Sequence, residues 1–365
     1  DINPLALSNY AIDGRLYGLP LERGLSRDAL TYRYDWLQNL GLEEPKTVED
    51  LVNMFLAFTN DDPDGNGEDD TYGTVISPLF QIAIHLGAPN NWAYEDGTMV
   101  KMQLTDEYKE ALEICRNLYE QGAIHPEFAI RERADYEADF TNGKAGSYWD
   151  VTVISGNQSR MTDENAVLHA SNLFANEDGE YFTSAGRGNN GVLLFSKKAI
   201  PDEETLEKVI NIFDRLADEE MCNLLALGVE GINYEVIDGV AHMIPENDSY
   251  WQEKINAPYT IPLAVRWPIL RTMPVEYDYG AQRNLEIIEE NEPYAVADPT
   301  LGLISELYNE IGGDLDTLLS DAATLYIMGE IDMEEYENRM QQWRDQGGDD
   351  IAAEYAELYE AAQQA

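Results

Sequence analysis

An α/β fold divided into two lobes is what this sequence of 365 residues predicts. Three observations lead there. Strand-patterned segments alternate with amphipathic helices along most of the chain, as α/β architectures require. The length suits two domains at roughly 100–200 residues each. No internal repeat and no low-complexity linker separates two halves, so several crossings of the chain should join the lobes.

The elements follow in order. Arg15-Leu-Tyr-Gly-Leu-Pro20 reads as a short strand after an Asp13-Gly14 turn. Leu30-Thr-Tyr-Arg-Tyr34 alternates as a strand and runs into a short helix, Asp35 to Gly41, stopped by glycine. Thr47-Val-Glu-Asp50 has the form of a capping box, and Leu51, Met54, Phe55 and Phe58 share one face of the helix behind it. Leu104 to Gly122 carries Tyr108, Ala111, Leu112, Cys115, Leu118 and Tyr119 at three/four spacing, an amphipathic helix. Phe140 to Asp150 reads as a helix end, a glycine turn and a strand. Val192 to Ser196 should be a buried strand. Pro201 to Leu227 should hold two helices, with Asp202 and Glu203 at the favourable end of the first helix dipole. Tyr234 to Met243 is a hairpin built on Asp238-Gly239. From Pro299 onward the pattern is helical, with breaks expected at Gly312-Gly313, Gly329 and Gly347-Gly348.

Between the second and third helices lies Asp62-Pro-Asp-Gly-Asn-Gly-Glu-Asp-Asp70. Asp62, Asp64, Asn66, the Glu68 carbonyl and Asp70 fall at positions 1, 3, 5, 7 and 9 of a helix-to-helix calcium loop, with Gly67 at the sharp turn. Position 12, which normally supplies a bidentate glutamate, is Gly73. The same residues also make an ordinary acidic turn, since Asp, Asn, Gly and Pro dominate turns. Calcium is expected here in a structural role.

Composition narrows the function. With 44% hydrophobic residues the chain can bury a substantial core. No run approaches the roughly 18 apolar residues of a membrane span. Seventy acidic residues against 23 basic ones give a net charge of −47, which repels phosphate backbones and argues against a nucleic-acid partner. Cys115 and Cys222 sit among apolar residues and read as buried free thiols. His85, His125, His169 and His242 lack zinc-type spacing, and neither a phosphate loop nor a nucleophile elbow is present. With so many carboxylates, some pair will lie at a glycosidase separation by abundance alone.

The run from Asp13 to Pro20, then Leu30-Thr-Tyr-Arg-Tyr-Asp-Trp-Leu37 and Gly41-Leu-Glu-Glu-Pro-Lys-Thr-Val-Glu-Asp50, resembles extracellular solute-binding proteins (family 1) of carbohydrate ABC importers. Gly143-Lys-Ala-Gly-Ser-Tyr-Trp-Asp150, Gly228 to Gly239 and Tyr326-Ile-Met-Gly-Glu-Ile-Asp332 agree in order and spacing. The nearest branch is the Gram-positive lipoprotein type, similar to alginate-oligosaccharide binding proteins that hold calcium at such a loop. The resemblance implies a type II periplasmic-binding-protein-like fold, with hinge crossings and a helical C-terminus. It places 1–24 and 185–240 in the N-terminal lobe, and 25–184 and 241–365 in the other. Family members begin with a signal peptide, a lipidated cysteine and leading strands absent from this sequence, so the N-terminal lobe is expected to be incomplete here.

The resemblance also implies an extracellular, cell-surface protein, a monomer that binds an oligosaccharide and docks on importer permease subunits. Sugars present hydroxyls around apolar C–H faces and call for aromatic platforms with fixed polar groups. Trp149 is the first candidate, by analogy with an aromatic that similar members lay against a sugar ring; a core tryptophan is the other reading. Asp150 would accept sugar hydroxyls or cap a helix. Arg187 would clamp a hydroxyl or carboxylate, or pair at the surface. Glu22, Arg23 and Arg27 follow the first hinge strand. Trp267, Arg271 and the loop aromatic Trp92 complete the set, while Trp36, Trp251 and Trp343 read as packing or surface residues. A secreted carbohydrate-active enzyme of glycosidase type is the alternative.

Overall fold

The alternation Asp28-Ala-Leu-Thr-Tyr-Arg33 forms the middle strand of a three-stranded antiparallel sheet, between Ser147–Val151 and Leu168–Ser171. In the computed structural model, which describes residues 3–12, 15–151, 154–246 and 271–364, this sheet belongs to the larger of two units. That unit comprises Ser26–Ala185 and Tyr279–Ala365; the other comprises Asp1–Leu25 and Gly186–Asp278. The expected boundary at residue 240 is corrected. Tyr234–Ile237 and Val240–Met243 pair as one hairpin within the smaller unit, because Asp238 (φ 51°) and Gly239 (φ 83°) both take the left-handed conformations a tight two-residue turn needs.

The core of the larger unit follows from helix periodicity. Thr47 Oγ1 accepts from Asp50 N at 3.0 Å and Asp50 Oδ2 accepts from Thr47 N at 3.1 Å, completing the capping box. The helix Val48–Asn60 then buries Leu51, Met54, Phe55 and Phe58. Full burial of such side chains contributes about 1.5–3 kcal/mol each. The helix Asp106–Glu120 buries Tyr108, Ala111, Leu112, Cys115 and Leu118 on its predicted face, and ends before Gly122 at φ 75°. Cys115 and Cys222 are both buried and free.

The expected break at Gly312-Gly313 is corrected, whereas Gly347 (φ 112°) does kink the chain between two helices, as expected. Tyr308–Gly312 is a π-helical turn that runs directly into the helix Gly313–Ile327, while the helix Asp349–Gln363 begins just after the kink at Gly347. Glycine serves packing here: a Cβ on Gly312 would meet the Tyr308 ring at 2.3 Å, and one on Gly348 the Trp343 ring at 2.3 Å. Gly329 (φ 76°) does end a helix, as expected.

Polar side chains tie the ends of the crossing segments together inside the larger unit. Ser26 Oγ donates to Thr183 Oγ1 at 3.1 Å, and Thr183 Oγ1 donates to the Asn291 carbonyl at 3.0 Å. Asn291 Nδ2 donates to the Asp28 carbonyl at 3.2 Å. Asn90 Nδ2 donates to the carbonyls of Ala185 and Val296, where Thr183–Ser184 pairs in parallel with Ala295–Val296.

In the smaller unit Gly18–Glu22 pairs antiparallel with Asn189–Leu194. The expectation of a buried strand at Val192–Ser196 is corrected: Leu194 is 70% exposed. The sheet has only two strands among the described residues, so the apolar run is not sandwiched. The helices Glu203–Leu216 and Glu219–Ala226 follow, the first capped by Asp202 Oδ1 accepting from Thr205 N at 2.8 Å.

Candidate ligand-binding site

Asp28 and Asp150 sit one register apart, Asp28 opposite Val151 and Ala29 opposite Asp150, where the middle strand of the larger unit begins. Burial pushes both carboxyls above the usual carboxylate range. Arg27 opposes the shift at Asp28 while Asp150 adds to it. At Asp150 the Val151 N–H, 2.7 Å away, and the ion pair with Arg133 act against burial. Arg133 Nε also donates to Glu137 Oε1 at 2.6 Å, one turn along the helix Arg133–Thr141. Arg160 Nη1 donates to the other oxygen of Glu137 at 2.9 Å and Nη2 to Asn157 Oδ1 at 2.5 Å. Asn157 in turn donates to the Tyr148 hydroxyl. The two guanidinium groups hold the Glu137 carboxyl below its ordinary range.

Of the residues expected at the site, this network gathers Asp150 and Arg27. It adds Asp28, Arg133, Glu137 and Arg160, which the sequence analysis missed. A signal was present: Arg131-Glu-Arg133 is a basic island in a chain with 23 basic and 70 acidic residues. Asp150 pairs with Arg133.

The aromatic candidates lie elsewhere. Trp149 is 4% exposed, its Nε1 donates to Asn172 Oδ1 at 3.2 Å, and Phe55 and Phe174 meet it edge-on at 6.2 and 6.1 Å. It is a core side chain because the strand is covered on both faces, with Trp149 in one apolar cluster and its neighbour Tyr148 in another. Trp92 is corrected likewise. It opens the strand Trp92–Glu95 instead of sitting in a loop, and packs against Trp343 and Tyr355 with Lys101 Nζ 4.8 Å above its ring. Trp36 and Trp343 are buried packing residues, as read. Trp251 and Trp267 lie outside the described residues.

The remaining candidates belong to the smaller unit. Glu22 is buried and accepts from Asn3 N at 2.5 Å. Arg23 Nη1 donates to Asn190 Oδ1 at 3.1 Å, and burial lowers its pKa from the ordinary value. Arg187 is exposed, and its carbonyl accepts from Asn9 Nδ2 at 3.3 Å. Arg271 is exposed, with its backbone hydrogen-bonded to Cys222. Glu22 lies opposite Asn189 in the pairing of Gly18–Glu22 with Asn189–Leu194, and Arg23 N donates to the Gly188 carbonyl, which brings the backbone beside Arg187 next to them.

The acidic loop is exposed and internally bonded. Gly67 N donates to Asp62 Oδ2 at 3.0 Å, and Asn66 Nδ2 donates to Asp64 Oδ2 at 3.0 Å and Asp70 Oδ1 at 3.2 Å. Burial, a hydrogen bond with Asp62 and the charges of Asp70 and Asp62 all raise the Asp64 pKa, so these carboxylates crowd one another. Gly73 occupies the twelfth position for a steric reason: a Cβ there would meet the Phe55 carbonyl oxygen at 2.3 Å. The closing glutamate is therefore excluded by packing. As they stand, the described residues hold no group of three or more His, Cys, Asp and Glu side chains spaced for a metal. Side-chain oxygens of Asp62, Asp64, Asn66 and Asp70 with the Glu68 carbonyl fit a calcium ion as an open, water-completed set.

No protein-family model matches the chain. The polygalacturonan/rhamnogalacturonan-binding protein YtcQ of Bacillus subtilis is 30% identical over 371 residues, covering 99% of this chain and 73% of its own length. The chain belongs to the solute-binding proteins of carbohydrate ABC importers. Lipoprotein LipO of the same organism is also 30% identical, over 98% of this chain and 73% of its own length. Solved structures of solute-binding proteins share the two-lobed α/β fold at lower identity. An HMO binding, ABC-transporter associated solute-binding protein from Bifidobacterium longum infantis matches with TM-score 0.68 at 16% identity, over 97% of this chain and 79% of its own. Alginate-binding AlgQ2 without calcium ion gives 0.65 at 17%, over 98% and 77%. An EF-hand mutant of Streptococcus pneumoniae FusA with fructo-nystose gives 0.61 at 21%, over 98% and 78%.

Membership makes this solute-binding protein a binder and not an enzyme, which removes the glycosidase alternative. No described helix is long and apolar enough to cross a membrane.

Proposed function

We propose that this solute-binding protein captures an oligosaccharide outside the cell, as a monomeric surface lipoprotein, and delivers it to the permease subunits of an ABC importer. The observation that supports this most is the 30% identity to YtcQ across 99% of the chain. The name of that relative makes galacturonate-containing oligosaccharides the first ligands to test. The Asp28–Asp150–Arg133 network offers what a sugar requires: carboxylate acceptors and guanidinium donors fixed by their neighbours. Glu22, Arg23 and Arg187 are the corresponding polar group of the smaller unit, with Arg271 a further exposed cation.

Calcium belongs to this reading as a structural ion at Asp62, Asp64, Asn66, Glu68 and Asp70. Bound there, it would neutralise crowded carboxylates and brace the connection behind the helix Val48–Asn60.

The test is a thermal-shift and calorimetric screen of the protein against neutral and acidic oligosaccharides, with product analysis alongside. Stoichiometric binding of at least one oligosaccharide without turnover is expected. A panel in which no saccharide binds, or in which one is cleaved catalytically, overturns the reading.

A further inference from the structure

Arg133 and Arg160 share a single carboxylate. Glu137 accepts from Arg133 Nε with Oε1 and from Arg160 Nη1 with Oε2, so one acidic side chain anchors two guanidinium groups, one on each oxygen. Their outer anchors are Asp150 and Asn157. A guanidinium carries five N–H donors. Each of these two uses two of them in this network, leaving three, and their side chains are 58% and 49% exposed. Both are thus held in place yet donor-rich on their solvent side. In a chain with 70 acidic and 23 basic residues, ordinary surface pairing gives each cation its own carboxylate. Two arginines on one glutamate are the reverse.

We infer that Arg133 and Arg160 form a carboxylate-recognition fork that selects oligosaccharides bearing uronate groups. The inference rests on the oligosaccharide-binding reading and specifies its ligand class. A planar carboxylate on the sugar ring matches the planar donor fork of arginine in two-point contact, where a hydroxyl offers one point. Asp150 and Asp28, at the inner end of the network, then accept hydroxyls of the same sugar. The overall negative charge does not oppose this at contact range, because distant charges are screened beyond about 10 Å at 0.1 M salt.

The experiment compares a galacturonate trisaccharide with its methyl ester, which keeps the ring and removes the charge. Calorimetric titration of the full chain should show the acid binding more tightly than the ester by about tenfold or more, the worth of one charge-assisted contact. In Arg160→Gln and Arg133→Gln that acid-over-ester ratio should fall towards one. Arg160→Lys, which keeps the charge and loses the fork, should fall between. Circular dichroism confirms that each variant is folded, and the comparison in the unaltered protein stands whatever the variants do. Equal affinity for acid and ester, or an undiminished ratio in both glutamine variants, overturns the fork while leaving oligosaccharide binding intact. Binding of neutral saccharides with none of either galacturonide does the same. Failure of every saccharide overturns the underlying reading instead.

Discussion

Trp149 Nε1 donates to Asn172 Oδ1 at 3.2 Å, and both residues are buried. The bond joins the strand Ser147–Val151 to the segment behind Leu168–Ser171, across the middle strand of the larger unit. It satisfies the one polar atom of the indole, so the ring packs against Phe55, Phe174 and His85 without an orphaned donor. Trp149→Ala should therefore cost about 3–5 kcal/mol of stability, as large aromatic truncations in cores do. Asn172→Ala, which strands the N–H, should cost about 1–3 kcal/mol. Urea unfolding of the larger unit measures both. A Trp149→Ala protein of unchanged stability with lost sugar binding would return the tryptophan to the ligand.

His85 predicts acid sensitivity. Its ring is buried between Trp149 and Phe174, its Nδ1 lies 2.8 Å from the Phe182 carbonyl, and burial lowers its pKa from 6.5 to about 4. Between those values the unfolded chain binds a proton that the folded one does not, so stability rises with pH in that window. The contribution is present above pH 6.5 and is lost as pH falls through 4, amounting to about 3 kcal/mol. His85→Asn keeps a donor for Phe182 and does not titrate. Its difference in unfolding free energy between pH 7 and pH 4.5 should be smaller than that of the unaltered protein.

The acidic loop predicts metal-linked stability. Chelation should lower the melting temperature at low ionic strength and calcium should restore it, by about 2.7 kcal/mol when calcium is a hundredfold above its dissociation constant. Asp64→Asn should abolish that recovery, since Asp64 is crowded by Asp62 and Asp70. Identical melting with chelator and with calcium would leave the loop as a plain turn.

Thr47 predicts a smaller effect. Its hydroxyl accepts from Asp50 N at 3.0 Å, and Thr47→Ala should cost about 0.5–2 kcal/mol, read by denaturant midpoint at constant slope. Asp50→Asn, which keeps the reciprocal acceptor, should cost less.

Local rules made much of the chain legible. The capping box at Thr47, the buried faces of Val48–Asn60 and Asp106–Glu120 and the Asp238-Gly239 hairpin each depend on residues within a few positions of one another. Ordered motifs from Asp13 to Asp332 likewise carried the solute-binding family, because they record backbone turns and strand ends that the fold repeats.

Packing decided what local pattern leaves open. Trp149 and Trp92 have the composition of sugar platforms, yet the elements packed over their strands bury both in the core. Gly312 looks like a helix breaker, but serves a close contact with the Tyr308 ring where one helix runs on without a break. Arg133 and Glu137 are legible as an i,i+4 pair, but Arg160 reveals nothing by spacing, since it meets Glu137 only when the segment after Ile154–Gln158 folds back on Arg133–Thr141. Sequence by itself determined the elements and the family, through short-range periodicity and turn chemistry. Tertiary structure alone decided which side chains are core and which are exposed, because burial depends on which distant strands and helices cover each face.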